Sequence, residues 1–247
     1  MQSQRGLNIQ TKIKSNQNKY EVPSAKVGDV AHAVTRSGLG AIPFAGTAAI
    51  ELLNMVVTPS LEKRKNEWME EVGEGLRNLE EKMGVVLEEL YQNDAFIDAA
   101  LEASSLALKN SEKEKIEALR NAVLNTALPN PVEKSLQIMF FSWIDIFTVW
   151  HIKLLILFQN PKSWLEENDK TLGGLMTGTM SNLIETAYPE LRTKSEFYKQ
   201  VWKDLYLRGL VNTDGLNTMM SLDGIVSKRT TNLGDQFLKF IHDPSEK

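Results

Sequence analysis

The residues that could perform acid–base or metal chemistry lie far apart in this 247-residue chain. None of its histidines stands in the HExxH or Glu-x-x-His arrangement by which helices hold catalytic metals. Glu70, Glu71 and Glu74 do cluster, but such a group is more typical of a solvated helix face than of an acid–base pair. The three histidines are His32, His151 and His242. These positions predict no metal centre and no acid–base site.

Signatures of nucleophiles and of phosphate binding are missing as well. The chain has no cysteine, which excludes thiolate catalysis, disulfides and cysteine-based metal sites. Gly38, Gly40 and Gly46 do not form a Walker or dinucleotide fingerprint, and no lysine follows them to reach a phosphate. The Gly-x-Ser-x-Gly pattern of hydrolases is also absent. The sequence therefore predicts a protein that is not an enzyme and needs no cofactor.

Basic residues could instead contact a nucleic acid or a protein. The formal net charge is −4 at pH 7, so the whole chain has no electrostatic attraction to nucleic acid or anionic lipid. Carboxylates interleave with the cations near the C-terminus, and the local basic footprint is therefore weak. A protein partner is favoured over DNA for these candidate contact residues, which are Lys199, Lys203, Arg208, Lys228 and Arg229.

The longest apolar stretch, residues 136–158, admits two interpretations. It has the length of about 20 residues that a membrane-spanning helix needs. Asp145 and Lys153 would together cost about 6 kcal/mol in a bilayer, which cancels most of the gain from the apolar residues. Asp145 and Thr148 favour caps and turns, so we expect two buried helices that meet at a polar corner. Insertion of the stretch into a membrane is the alternative.

A second apolar segment, residues 42–57, is too short to cross a membrane alone. Pro43 suits the first turn of a helix, and the small residues would let another helix approach closely. We expect a buried helix, and the alternative is a segment that enters a membrane after activation. The candidate membrane or partner contacts in it are Ile42, Phe44, Ile50, Leu53 and Val57.

The strongest helix signal covers residues 58–91. Thr58 can cap this helix and Pro59 can occupy its first position. Apolar residues recur at heptad-like spacings, which predicts a seam that packs against another helix of the chain, with homodimerisation as the alternative. The seam residues are Leu61, Trp68, Val72, Leu76, Leu79, Met83, Val86 and Leu90.

The C-terminal part has the order helix, hairpin, helix. Residues 195–210 predict a helix, and the runs LNTMM and IVSKRTT predict two short strands joined by the turn SLDG. A last helix carries Phe237 and Phe240. This order is typical of a winged-helix domain, which adds a DNA-binding regulator to the functional alternatives.

Composition divides the chain at two points. Residues 1–22 predict a flexible polar tail without the apolar core of a signal peptide, which favours a cytoplasmic location. Two prolines within residues 128–131 predict a joint, because they cannot lie inside one helix. We expect a helical domain at 23–128 and a helical region with a winged-helix-like end at 129–247. The predicted class is mainly α: a multi-helix bundle with one long helix and a C-terminal winged-helix-like element with a small β-hairpin.

The order of three segments resembles the Abi-alpha group of bacterial proteins, which is associated with abortive infection against phage. IPFAGTAAIELLNMVVTPSLEKRKNEW places an apolar helix before a charged one, WHIKLLILFQNP follows, and TTNLGDQFLKF lies near the C-terminus. The resemblance implies a link to phage defence and assigns no residue roles. The leading expectation is a non-enzymatic interaction or regulatory protein that binds a protein partner or forms a homo-oligomer. A membrane-perturbing defence effector that uses residues 42–57 or 136–158 is the main alternative.

Overall fold

The computed structural model describes residues 45–174 and 176–245, and this part of the protein is mainly α-helical. It contains eleven α-helices and a two-stranded antiparallel sheet, which confirms the predicted mainly α class with one long helix and a small β-element. The chain divides into the units Met1–Met55 and Val56–Lys247. The hydrophobic core described below belongs to the second unit.

The elements are named in chain order. The helices are α1 (Ala45–Met83), α2 (Leu87–Leu90), α3 (Asp94–Lys109), α4 (Lys113–Thr126), α5 (Lys134–Ile146), α6 (Val149–Gln159), α7 (Pro161–Glu167), α8 (Met180–Ala187), α9 (Ser195–Leu207), α10 (Leu222–Ile225) and α11 (Asn232–Ile241). The strands are β1 (Thr177–Gly178) and β2 (Met220–Ser221), and Pro189–Leu191 forms a 3-10 turn.

The long helix differs from its predicted limits. α1 begins at Ala45 and continues through Pro59, so the predicted helix start at Thr58 is wrong. A proline removes a single backbone donor, and the residues on both sides of Pro59 keep their helical conformation. α1 ends at Met83, before Gly84, whose φ of +67° favours glycine.

The apolar stretch 136–158 is broken where its polar residues predicted. α5 ends at Ile146, Phe147 takes an extended conformation, and Thr148 precedes α6. The two helices are bent by 118°, Asp145 is exposed and Lys153 is half-buried, which confirms the predicted polar corner. Within 45–174 and 176–245, no single helix has the length and apolarity to cross a bilayer. The α5–α6 pair meets those two criteria only when its bent halves are counted together.

An aromatic cluster joins α5 to α11. The ring of Phe140 lies 5.4 Å from those of Phe237 and Phe240, measured between centroids. Trp143 and Phe147 each lie 5.8 Å from Phe237 in edge-to-face contacts. Such pairs add about 0.5–1.5 kcal/mol each to the effect of apolar burial. The last helix of the chain therefore closes the core.

The predicted domain boundary at 128/129 is a turn inside the unit Val56–Lys247. The helices on its two sides share a core, since the side-chain amides of Asn121 and Asn125 in α4 donate to backbone carbonyls of residues 240–242 at the end of α11. These bonds satisfy carbonyls that a helix end leaves without partners. Pro129 and Pro131 follow the end of α4 at Thr126, and the helices before and after them lie in the same unit.

The small sheet pairs different segments from those predicted. β2 comes from the LNTMM-SLDG region, but its antiparallel partner is β1, with Thr177 opposite Ser221. SLDG is the start of α10 rather than a hairpin turn, because the Ser221 side chain accepts a hydrogen bond from the Gly224 amide and caps this helix. The second predicted strand forms one isolated bridge, Val211 to Thr230.

Candidate partner-binding site

Three polar residues that lie apart in the sequence meet at the start of α6. The Nδ1 atom of His151 lies 3.0 Å from the Thr148 hydroxyl and accepts a hydrogen bond from the Thr148 amide at 3.1 Å. Its Nε2 atom lies 3.6 Å from a carboxylate oxygen of Asp204 in α9. The residue types and their order match a nucleophile, a base and an acid.

The local geometry gives this group a structural role. The Thr148 amide occupies the lone pair of Nδ1, which a general base would need for the hydroxyl proton. The ring of His151 is buried and stacks on Phe147 at 4.6 Å, and the guanidinium of Arg208 lies 5.3 Å from the same Phe147 ring. Burial lowers the pKa of His151, while the Asp204 carboxylate acts in the opposite direction. The group therefore fastens α6 to α9 through a neutral histidine.

The predicted cationic contacts do not form one surface. Lys199 and Lys203 line a shallow cleft of about 470 Å³, and Lys199 pairs with Glu196 at 3.1 Å. The other three residues are engaged within the fold. Lys228 pairs with Asp235, Arg208 donates to the Asp204 carbonyl, and Arg229 donates to the Gly224 carbonyl at 2.6 Å. DNA contact by these residues stays a prediction, and their positions add no support to it.

A cleft of about 590 Å³ between α4, α6 and α11 was not predicted. Its wall carries Lys153, which pairs with Glu114 at 3.1 Å, and the buried amide of Asn121 forms part of its lining. A hydrogen bond from the Glu114 backbone and then the hydrogen bond and charge of Lys153 lower the pKa of Glu114. Both cationic and anionic side chains line the cleft, so it has no clear preference for either charge in a ligand.

The predicted apolar contacts of residues 42–57 fall into three groups. Ile42 and Phe44 lie outside the described residues, and Ile50 and Leu53 lie in α1. Val57 is 53% exposed, so the expectation of a buried helix fails at this position. The first apolar residue of the predicted seam, Leu61, is also exposed, at 43%.

The exposure of Val57 and Leu61 follows from how α1 lies on α3. Trp68 donates from its indole nitrogen to Ser104 at 2.8 Å, and Arg64 donates to the Leu108 carbonyl at 3.1 Å. The residue numbers of these contacts rise along α1 while they fall along α3, so the two helices run antiparallel. α3 ends at Lys109, one residue beyond the Arg64 contact. Residues 57–63, called the α1 extension below, therefore reach past the end of α3, and all seven are exposed.

The α1 extension continues the apolar seam of the docked part of α1. Trp68 and Leu79 lie on that seam and are buried against the core. Val57 and Leu61 precede Trp68 by eleven and seven residues, which places them on the same face of a helix with 3.6 residues per turn. A helix face that packs in one half and is bare in the other is suited to a second helix.

Comparison with known proteins identifies no relative of this chain. The chain matches no protein-family model. No curated protein and no solved structure is significantly similar to it.

Proposed function

We propose that the protein is a non-enzymatic interaction protein that binds a helix of a partner protein through the α1 extension. The observation that carries this proposal is the continuation of the buried seam, through Leu61 and Val57, onto a part of α1 that extends past α3. An antiparallel or parallel partner helix would cover these side chains in the way that the core covers Trp68. The flanking pair Lys63–Glu67, at 3.6 Å, leaves a charged border on this seam.

The contribution of the two seam residues can be bounded. Full burial of a Val or Leu side chain contributes about 1.5–3 kcal/mol, and both side chains start about half exposed. Covering Val57 and Leu61 is therefore worth about 1.5–3 kcal/mol together, or a factor of about 10–150 in the dissociation constant. The exposed Lys63–Glu67 pair adds little beyond orientation.

A paired-variant experiment tests this proposal. Val57→Glu with Leu61→Glu places two charges on the seam, and Ser60→Glu with Asn66→Glu adds the same charge to other faces of α1. Partners are identified by crosslinking in a bacterial host and are then purified, and their affinity for each variant is measured by calorimetry. We expect the seam variant to bind at least about 10-fold more weakly and the control to bind as the native chain does. Equal affinities, or the lack of any partner, would reject the proposal.

The resemblance to the Abi-alpha group supports a role in phage defence for this interaction, in the cytoplasm of a bacterial cell. The measurement is the efficiency of phage plating on a host that expresses the native chain, the seam variant or the control variant. Defence through a partner helix requires protection by the native and control chains and none by the seam variant. Equal plaque numbers with and without the native chain would remove the link to defence.

A second candidate function is contact with a membrane, and one observation favours it. Met55 and Val57 are exposed apolar residues, and the basic run Lys63, Arg64 and Lys65 follows them in the same helix. Apolar side chains followed by cations are typical of a helix that lies on an anionic lipid surface. Flotation with vesicles of phosphatidylglycerol and phosphatidylcholine separates the two candidates. Lipid binding that is lost in the seam variant would favour membrane contact. If the native chain does not float with the vesicles, binding of a partner helix stays as the candidate function.

A further inference from the structure

A second exposed apolar surface lies between α3 and α5, far along the chain from the α1 extension. The two helices border a groove of about 510 Å³ whose lining includes the small residues Ala95 and Ala99 and the buried ring of Phe141. Leu101 on α3 and Ile138 on α5 also line it, and they are 67% and 64% exposed. This surface, the α3/α5 groove, thus combines a slot with a small-residue lining and two projecting aliphatic side chains.

The polar residues of the groove carry both signs of charge. Lys134 reaches across it to Asp98 at 2.7 Å, and this hydrogen bond raises the pKa of Lys134. Glu102 supplies a further carboxylate on α3. Since both members of the Lys134–Asp98 pair are more than half exposed, either can contact an opposite charge on a second molecule. The groove therefore favours neither a strongly basic nor a strongly acidic partner.

We propose that two copies of the chain associate face to face through their α3/α5 grooves, around a two-fold axis. A two-fold interface uses the same patch on both molecules, so the patch must be complementary to itself. The α3/α5 groove meets this condition, because Leu101 and Ile138 of one copy can enter the slot beside Ala95 and Ala99 of the other. Lys134 of one copy can likewise approach the carboxylates of the other, which a one-sided charged surface would forbid.

The size of the face agrees with a small interface. α3 has 16 residues and α5 has 13, so they are about 24 Å and about 20 Å long. Two helices side by side are about 20 Å wide, which gives a flat footprint of about 450 Å². The accessible area of a surface with projecting side chains exceeds its flat footprint, and a standard interface buries about 800 Å² per partner. Two such footprints total about 900 Å², which is in the range of a weak dimer.

The proposal is independent of the α1 extension. The change of Val57→Glu with Leu61→Glu leaves the α3/α5 groove intact, so this variant keeps the mass of the native assembly in solution. A failure of either proposal is therefore visible without reference to the other.

Sedimentation equilibrium of the full chain between about 1 and 200 μM tests the dimer. We expect the native chain to approach twice its monomer mass, and the variant Leu101→Glu with Ile138→Glu to dimerise at least 30-fold more weakly. The matched control is Leu207→Glu with Met219→Glu, because these two side chains are each 68% exposed elsewhere on the surface. A monomeric native chain at the highest concentration would overturn the proposal, as would equal dimerisation of the two variants.

Crosslinking gives a second readout that does not depend on charged substitutions. The chain has no cysteine, so Leu101→Cys introduces its one thiol. A bis-maleimide reagent should convert this variant to a covalent dimer within minutes, and should leave Leu207→Cys monomeric at the same concentration. Equal yields of covalent dimer from the two variants would show random collision and would overturn the proposed interface.

Discussion

Replacement of Gly234 by alanine tests the way in which α11 docks on the rest of the core. Gly234 lies in the first turn of α11 and is buried. A Cβ atom added there would overlap the carbonyl oxygen of Leu210 and lie 3.2 Å from its carbonyl carbon and 3.3 Å from the Cβ of Thr230. Backbone atoms cannot rotate away as a side chain can, so α11 itself must move.

The cost of that movement can be estimated from what it breaks. The Leu210 carbonyl accepts a hydrogen bond from the Thr231 amide at 3.0 Å, and loss of a buried bond of this kind costs about 1–3 kcal/mol. Overpacking adds about 1–3 kcal/mol. The preference of helices for alanine over glycine returns about 0.5–1 kcal/mol. The net loss is about 1–5 kcal/mol, which is about 2–20 °C in the melting temperature of a chain of this size.

The matched control is the same substitution in an open position. A Cβ atom at Gly73, inside α1, would meet nothing within 4 Å. Gly73→Ala should therefore raise the free energy of unfolding by about 0.5–1 kcal/mol, through helix preference alone. Urea denaturation followed by circular dichroism measures both variants. A Gly234→Ala variant within about 0.5 kcal/mol of the native chain would refute the proposed close contact of α11.

Other substitutions probe the core, the α5–α6 corner and the buried histidine. Phe237→Ala removes a fully buried ring and should cost about 3–5 kcal/mol in urea denaturation, whereas Leu207→Ala at the surface should change stability by less than about 0.5 kcal/mol. Lys115→Met removes the bond from the buried Lys115 ammonium to the Asp145 carbonyl, which is 2.8 Å long, and should cost about 1–3 kcal/mol. Burial lowers the pKa of His151 in the folded chain, so the unfolded chain takes up this proton first as the pH falls. Stability should then decrease below the ordinary histidine pKa of 6.5, and His151→Gln should abolish that part of the decrease in denaturation curves at pH 5 to 8.

Local signals in the sequence were sufficient for the mainly helical class and for the corner. Asp145 and Thr148 are poor residues for a helix interior, and the helix break falls between them. This signal is local, because both residues lie within a few positions of the break. The predicted seam of α1 is confirmed at Trp68 and Leu79 for the same reason, since a helix repeats its faces at short range. The continuation of α1 through Pro59 was missed, because a favourable first-turn signal does not show whether the preceding residues are helical too.

Long-range pairing set the limit of the sequence analysis. β2 has a good turn sequence beside it, but its partner β1 precedes it by more than forty residues, and no local pattern marks that choice. The group of Thr148, His151 and Asp204 also depends on how α6 meets α9. The α3/α5 groove was missed for a related reason. Exposed residues such as Leu101 and Ile138 become a surface only when two helices bring them together.

Two apolar segments were predicted as possible contacts with lipid or partners. They differ in the structural change that would be needed to expose them. Residues 134–159 fold over the aromatic cluster, and the buried Lys115 secures their corner. To leave the core, they would have to give up those aromatic contacts and the hydrogen bond from Lys115, at several kcal/mol. The α1 extension needs no such step, since Val57 and Leu61 are exposed in the folded chain. The proposed contact of α1 with a partner helix or a lipid surface therefore requires no opening of the α5–α6 corner.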